Sequence, residues 1–219
     1  MDWQAVALTL KLASLTTLIL LAVGLPLAAW LAGPRRHFKV LVDAVVALPL
    51  VLPPTVLGFY LLLLLGPRSP LGAAYERVTG STLPFSFPGL LIGSTLYSLP
   101  FVVGPVRSAF SSVDRRLVEA SYCLGVSRLG TFLRVVCPLS WAGIVTGAVL
   151  SFAHTVGEFG VVLMIGGNLR GVTRTASIAV YDQMQSLDYT GAAQTSALLL
   201  AFSLLVLVVT YTLSHRPLG

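Results

Sequence analysis

Apolar residues fall into five long runs, at about residues 7–32, 40–65, 87–110, 141–165 and 195–213, divided by shorter polar connections. A helix needs about 20 apolar residues to cross the roughly 30 Å hydrocarbon core, and it satisfies its own backbone amides in doing so. Each run therefore predicts a membrane helix. The expected fold is all-α and integral to the membrane, with about five transmembrane helices and a helix pair outside the bilayer between spans three and four. Pro49, Pro53 and Pro54 interrupt the second run, and Pro100 and Pro105 the third. Two readings stand: kinks made for packing, or irregular turns beside a translocation path, where non-helical backbone can survive at membrane depth.

Composition supports this picture. Hydrophobic residues make up 56% of the 219 and charged residues 10%, against about 25% charged in soluble domains. The net charge of +6 is dispersed between the apolar runs, without a basic face or interleaved aromatics, which points to lipid headgroups and excludes a nucleic-acid partner. Arg35, Arg36 and Lys39 follow the first run, and Arg107, Arg115, Arg116, Arg128 and Arg134 follow the third. The opposite side holds fewer, with Arg68, Arg77, Arg170 and Arg174. The positive-inside rule then places the N-terminus outside and the C-terminus in the cytoplasm. The first run is too long for a signal-peptide core and reads as a retained span. Cys123 and Cys137 fall on the reducing side, which argues against a disulfide. With no internal repeat or appended soluble segment, residues 1–219 read as one membrane domain.

Ionisable residues near the runs are Lys11, Asp43, His154 and Glu158. Lys11 and Asp43 lie near span ends and are expected to snorkel to headgroups. His154 and Glu158 share one helix face, positioned to bond each other or a neighbouring helix. A carboxylate repels an oxyanion, so Glu158 suits structure or gating better than anion contact. An anion in transit is better served by neutral donors, and Thr55, Ser94, Ser98 and Thr155 are candidates by type. The external stretch 166–188 predicts a short helix dipping into the outer mouth, with Arg170 and Arg174 facing a partner or headgroups.

The connection from Arg107 to Trp141 leaves the membrane yet keeps helical spacing. Asp114 or Ser112 can cap a first helix with Leu117, Ala120 and Leu124 on one face, Gly125 can stop it, and Ser127 can cap a second helix carrying Phe132, Val135 and Val136. Pro138 is expected to end that second helix. Its apolar face suits either lipid or a partner's groove. Glu119-Ala120-Ser121, Gly125 four residues on, Phe132 and Pro138-Leu139-Ser140 together resemble the Glu-Ala-Ala loop of ABC importer membrane subunits, with Ser121 in place of the second alanine. Residues 49–60, 157–160, 164–168, 174–175 and 177–182 are similar to segments of the molybdate branch of that family, which shares much with the sulfate and tungstate branches.

The resemblance implies a homodimeric pore in a bacterial inner membrane. Its coupling helices, built on Glu119, Ala120, Ser121, Gly125, Phe132 and Pro138, would dock on two cytoplasmic ATPase subunits, and a periplasmic or lipid-anchored protein would deliver the oxyanion. Pro53, Pro54, Thr55, Gly157 and Glu158 mark a path or gate. The chain has no Gly-x-x-x-x-Gly-Lys-Ser/Thr loop, so ATP would belong to the partner and no cofactor or metal to this chain. It also has no Gly-x-Ser-x-Gly serine and no aspartate cluster, which argues against an intramembrane enzyme. A secondary transporter is disfavoured by the missing inverted repeat.

Overall fold

The computed structural model describes residues 2–33 and 37–214. Arg35, Arg36 and the C-terminal tail lie outside the described residues. The first helix, α1 (Trp3–Ala32), starts where the Asp2 carboxylate accepts a hydrogen bond from the Ala5 amide at 3.0 Å. It buries Thr9, Leu12, Ala13, Thr16, Leu20, Gly24 and Ala28, a stripe at helical spacing.

The second span is not the single helix the apolar run suggests. It splits into α2 (His37–Val51) and α3 (Pro54–Leu65), bent 116° to each other. The cause is local. Leu52 and Pro53 each precede a proline, which disfavours helical backbone, and Pro54 brings no amide hydrogen for the ladder. Pro53 accordingly sits at φ −55°, ψ 135°. The connection beyond it holds a helix not anticipated from the pattern, α4 (Pro70–Thr79), capped by Ser69 and stopped by Gly80 at φ +70°.

The third span, α5 (Phe87–Ser111), starts at a Ser86 cap and carries Pro100 and Pro105 without a break. Then come α6 (Arg115–Cys123) and α7 (Arg128–Leu139), the latter containing one wide turn over Phe132–Val136 in which the Cys137 amide reaches back to the Phe132 carbonyl. Pro138 does not end α7, contrary to expectation. The wide turn makes room for its ring, α7 continues to Leu139, and the chain bends by 73° at Ser140 into α8 (Trp141–Gly157). The fourth span is interrupted in turn. Glu158 leaves helical geometry at φ −66°, ψ 134°, and α9 (Gly160–Gly166) completes the run. The chain closes with α10 (Ala176–Gln185), capped by Thr175, and α11 (Tyr189–Ser214).

Three helices, α1, α5 and α8, pack mutually and form the spine of the molecule. In lipid the hydrophobic effect does not drive helices together, so close approach must come through small residues. Here a Cβ placed on Gly24 would sit 3.1 Å from Val102, one on Gly147 3.2 Å from the Val102 carbonyl, and one on Gly143 2.3 Å from Ala109. Leu20, Ala28, Val102, Val103, Val106 and Phe110 fill the lower core, and Leu12, Leu90, Val162 and Ile178 the upper one. By contrast only 11% of the apolar window of α11 is buried. That helix leaves most of its surface to lipid or to another subunit.

Candidate functional site

The two broken spans meet. A Cβ on Gly160 would lie 2.6 Å from the Pro54 side chain, and one on Gly58 2.6 Å from Met164. α3 and α9 therefore touch along glycine faces, and the two interruptions sit side by side. Between them opens a pocket of about 560 Å³ lined by Pro54, Thr55, Tyr97, His154, Gly157 and Glu158 among others. Four of the five residues singled out for a path or gate thus share one wall, and Pro53 caps the helix that presents Thr55.

His154 and Glu158 do not bond each other. The His154 Nδ1 lies 3.0 Å from Ser98 Oγ on α5, which lies 3.0 Å from Thr155 Oγ1. The imidazole stacks on Phe101 with centroids 3.9 Å apart and packs against Tyr97 at 4.8 Å. Glu158 is 4% exposed, and neither carboxyl oxygen has a hydrogen-bond partner. The Ser94 hydroxyl on α5 is likewise buried without a hydrogen-bond partner. Among the proposed neutral donors only Thr55 is on the pocket wall. Ser94, Ser98 and Thr155 are buried between helices, where an orphan hydroxyl costs more than a shared one, and two of them are used on each other. Tyr97 was not picked out from sequence, because nothing local distinguishes a pocket tyrosine from an interfacial one.

The second cluster is the α6–α7 hairpin. Asp114 caps α6 by accepting from the Arg116 amide at 2.9 Å, and Ser127 caps α7 through the Gly130 amide at 3.2 Å. Between them Gly125 sits at φ +77°, with no atom within 4 Å of where a Cβ would stand. Its requirement is conformational and not one of space. The hydroxyls of Ser121 and Thr131, both buried, meet at 2.9 Å and tie the two helices together. A second alanine at position 121 would lack this bond. Glu119 and Ala120 are exposed, as are Leu117, Leu124 and Leu129, the last two at 82% and 68%. Phe132 packs edge-on against Phe110 of α5 at 5.4 Å, joining the hairpin to the spine.

On the opposite end, Arg174 does not face a partner or headgroups. It is buried, donating from Nε to Asn168 Oδ1 at 2.6 Å and pairing with Asp182 at 3.0 Å and Asp2 at 3.7 Å. Asn168 donates in turn to Asp182 at 2.7 Å. Arg170 is exposed beside this network. Asp43 does not simply snorkel either, since it pairs with Arg107 of α5. Lys11 reaches over the Phe87 ring at 4.6 Å. Among the described residues no three His, Cys, Asp or Glu side chains gather as a metal site.

Three helices long and apolar enough to cross a membrane, and up to two more if each bent pair is one span, mark a multi-span membrane protein. Residues 24–218 match the family of binding-protein-dependent transport system inner membrane components. The molybdenum transport system permease protein ModB of Azotobacter vinelandii is 50% identical over 211 residues, covering 96% of this chain and 93% of that protein. ModB of Escherichia coli strain K12 is 36% identical over 215 residues, covering 98% and 94%. Among solved structures, a chain of the inward-facing MetNI methionine ABC transporter superposes with a TM-score of 0.74 at 18% identity, covering 98% of this chain and 94% of that one. The chain belongs to the inner membrane components of binding-protein-dependent transport systems.

Proposed function

We propose that this chain is the permease subunit of an ATP-driven molybdate importer. The observation that carries the reading is 50% identity along 96% of the chain to a molybdenum permease. In this reading residues 1–219 form one permease domain, two copies pair, and a binding protein delivers the oxyanion at the end bearing Asp2 and Arg174. Two ATPase subunits receive the α6–α7 hairpins in the cytoplasm, and the chain itself carries no catalytic group.

The geometry suggests how motion reaches the path. The hairpin is stiffened by two caps, the Ser121–Thr131 bond and the Gly125 turn, so it can move as a body while its exposed leucines dock in an apolar groove. α7 runs on through the 73° bend into α8, and α8 is a 17-residue rod about 25 Å long. Its far end is Gly157, on the pocket wall. Displacement of the hairpin is thus delivered to the place where both spans are already broken, and where the chain can bend without breaking helical hydrogen bonds. The pocket wall offers the Thr55 and Tyr97 hydroxyls and no cation that would trap a dianion, and the buried Glu158 carboxyl on the same wall serves gating rather than anion contact.

The reading is tested by uptake of labelled molybdate in cells lacking their own importer and supplied with this chain, its ATPase and its binding protein. ATP-dependent uptake that yields to tungstate and resists equimolar sulfate is expected. Competition by sulfate would move the assignment to the sulfate branch, and ATP-independent uptake by this chain alone would overturn it.

A further inference from the structure

At the end of the bundle that carries the α6–α7 hairpin, a separate pocket of about 240 Å³ opens between α1, α2 and α5, lined by Leu31, Lys39, Val40, Asp43 and Arg107. Lys39 is only 8% exposed, which is unusual for a lysine. Its ammonium donates to the Trp30 carbonyl in the last turn of α1, where the helix dipole favours a cation, and lies 5.0 Å over the Trp30 ring. Among the described residues no carboxylate pairs with it, since Asp43 is engaged by Arg107. The pocket wall therefore holds two cations and one anion, a net charge of +1. Lys39 has three N–H donors and Arg107 five, so both retain donors beyond the bonds they make.

The rim of this pocket is apolar. Leu31 and Val40 line it, Val40 is 60% exposed, and Phe38, the neighbour of Lys39 in sequence, is 66% exposed. Trp30 and Phe38 meet edge-on at 6.2 Å, aromatic residues of the kind that sit at headgroup level. An enclosed excess of positive charge beside exposed apolar side chains has the make-up of a headgroup site: phosphate oxygens for the cations and acyl chains for the rim.

We propose that this pocket binds the phosphate of an anionic phospholipid from the adjoining leaflet. The ligand neutralises Lys39 and anchors the junction of α1, α2 and α5. The shared chemistry, a phosphate monoanion, could also arrive as free phosphate, and the apolar rim favours the lipid. The site does not depend on which ion the protein transports.

The test uses the full chain purified in neutral detergent, with binding followed by native mass spectrometry and by the shift in thermal unfolding midpoint. The ligands are phosphatidylglycerol, phosphatidylcholine and inorganic phosphate. Phosphatidylglycerol is expected to bind and to raise the midpoint. Lys39→Gln should weaken that binding roughly tenfold or more, the worth of a charge-assisted hydrogen bond, and Lys39→Arg should retain most of it. Asp43→Asn, which removes the one anion and lifts the pocket charge to +2, should tighten binding, a gain that a merely misfolded variant cannot give. Equal binding of phosphatidylcholine, or unchanged phosphatidylglycerol binding in Lys39→Gln, overturns the proposal. A midpoint shift reproduced by inorganic phosphate alone removes the lipid and leaves a free-anion site.

Discussion

Arg174 shows what a single side chain does when it is buried with its partners. It joins Asp2, at the start of α1, to Asn168 and to Asp182 on α10, so one guanidinium closes that end of the bundle across segments far apart in sequence. Asp182 and Asp2 are 34% and 25% exposed, so solvent screens part of the attraction and the contribution is modest. Arg174→Ala is expected to lower stability by about 1–2 kcal/mol, read as a lower unfolding midpoint and faster proteolysis within residues 168–175. Arg174→Lys should recover only part, because an ammonium cannot reproduce a planar fork. An unchanged midpoint in Arg174→Ala would count against the network. Nothing in the sequence announced this role, since its meaning depends on an aspartate at the other end of the chain. Asp114, Ser127 and Gly125 were legible, because caps and left-handed turns are made by neighbours in sequence and leave a local signature.

At the scale of elements, hydropathy located every span, while the interruptions needed the fold. The prolines marked where α2 could end, yet the 116° between α2 and α3 is set by what each half packs on, α5 for α2 and α9 for α3. The break at Glu158–Phe159 had no proline to mark it. α4 was missed because its residues Ala73, Tyr75, Glu76 and Arg77 form no apolar run. The wide turn in α7 shows why Pro138 was misjudged: proline excludes one hydrogen bond, and a turn that is already widened has none to lose at that point. Contact between α3 and α9 depends on Gly160 seated against Pro54. Gly160→Val should force them apart, costing on the order of 1–3 kcal/mol. The variant should insert in the membrane with a lower unfolding midpoint and poor uptake. Full uptake with an unchanged midpoint would show that the two interruptions need not meet.

Across the whole molecule, the proposed machinery is a lever. The hairpin lies at one end of α8 and the pocket at the other, and Phe132 against Phe110 fixes the hairpin to the spine. Gly125→Val places a β-branched side chain at φ +77°, where such residues are strained. The expected result is normal insertion and ATPase assembly with transport lost. Gly125→Asn should keep part of the uptake, since asparagine tolerates left-handed backbone. Normal uptake by the valine variant would show that the turn is not what transmits motion. The interrupted second span also bears on how the protein is made. Its halves, of 15 and 12 residues, reach only about 22 and 18 Å as helices, and neither alone crosses a core of about 30 Å. The insertion machinery must therefore accept residues 37–65 as one apolar stretch, and α9, the neighbour on which α3 packs, is synthesised some hundred residues later. The second span thus acquires its final shape only after it has entered the bilayer, when the later-made segment arrives to fold it.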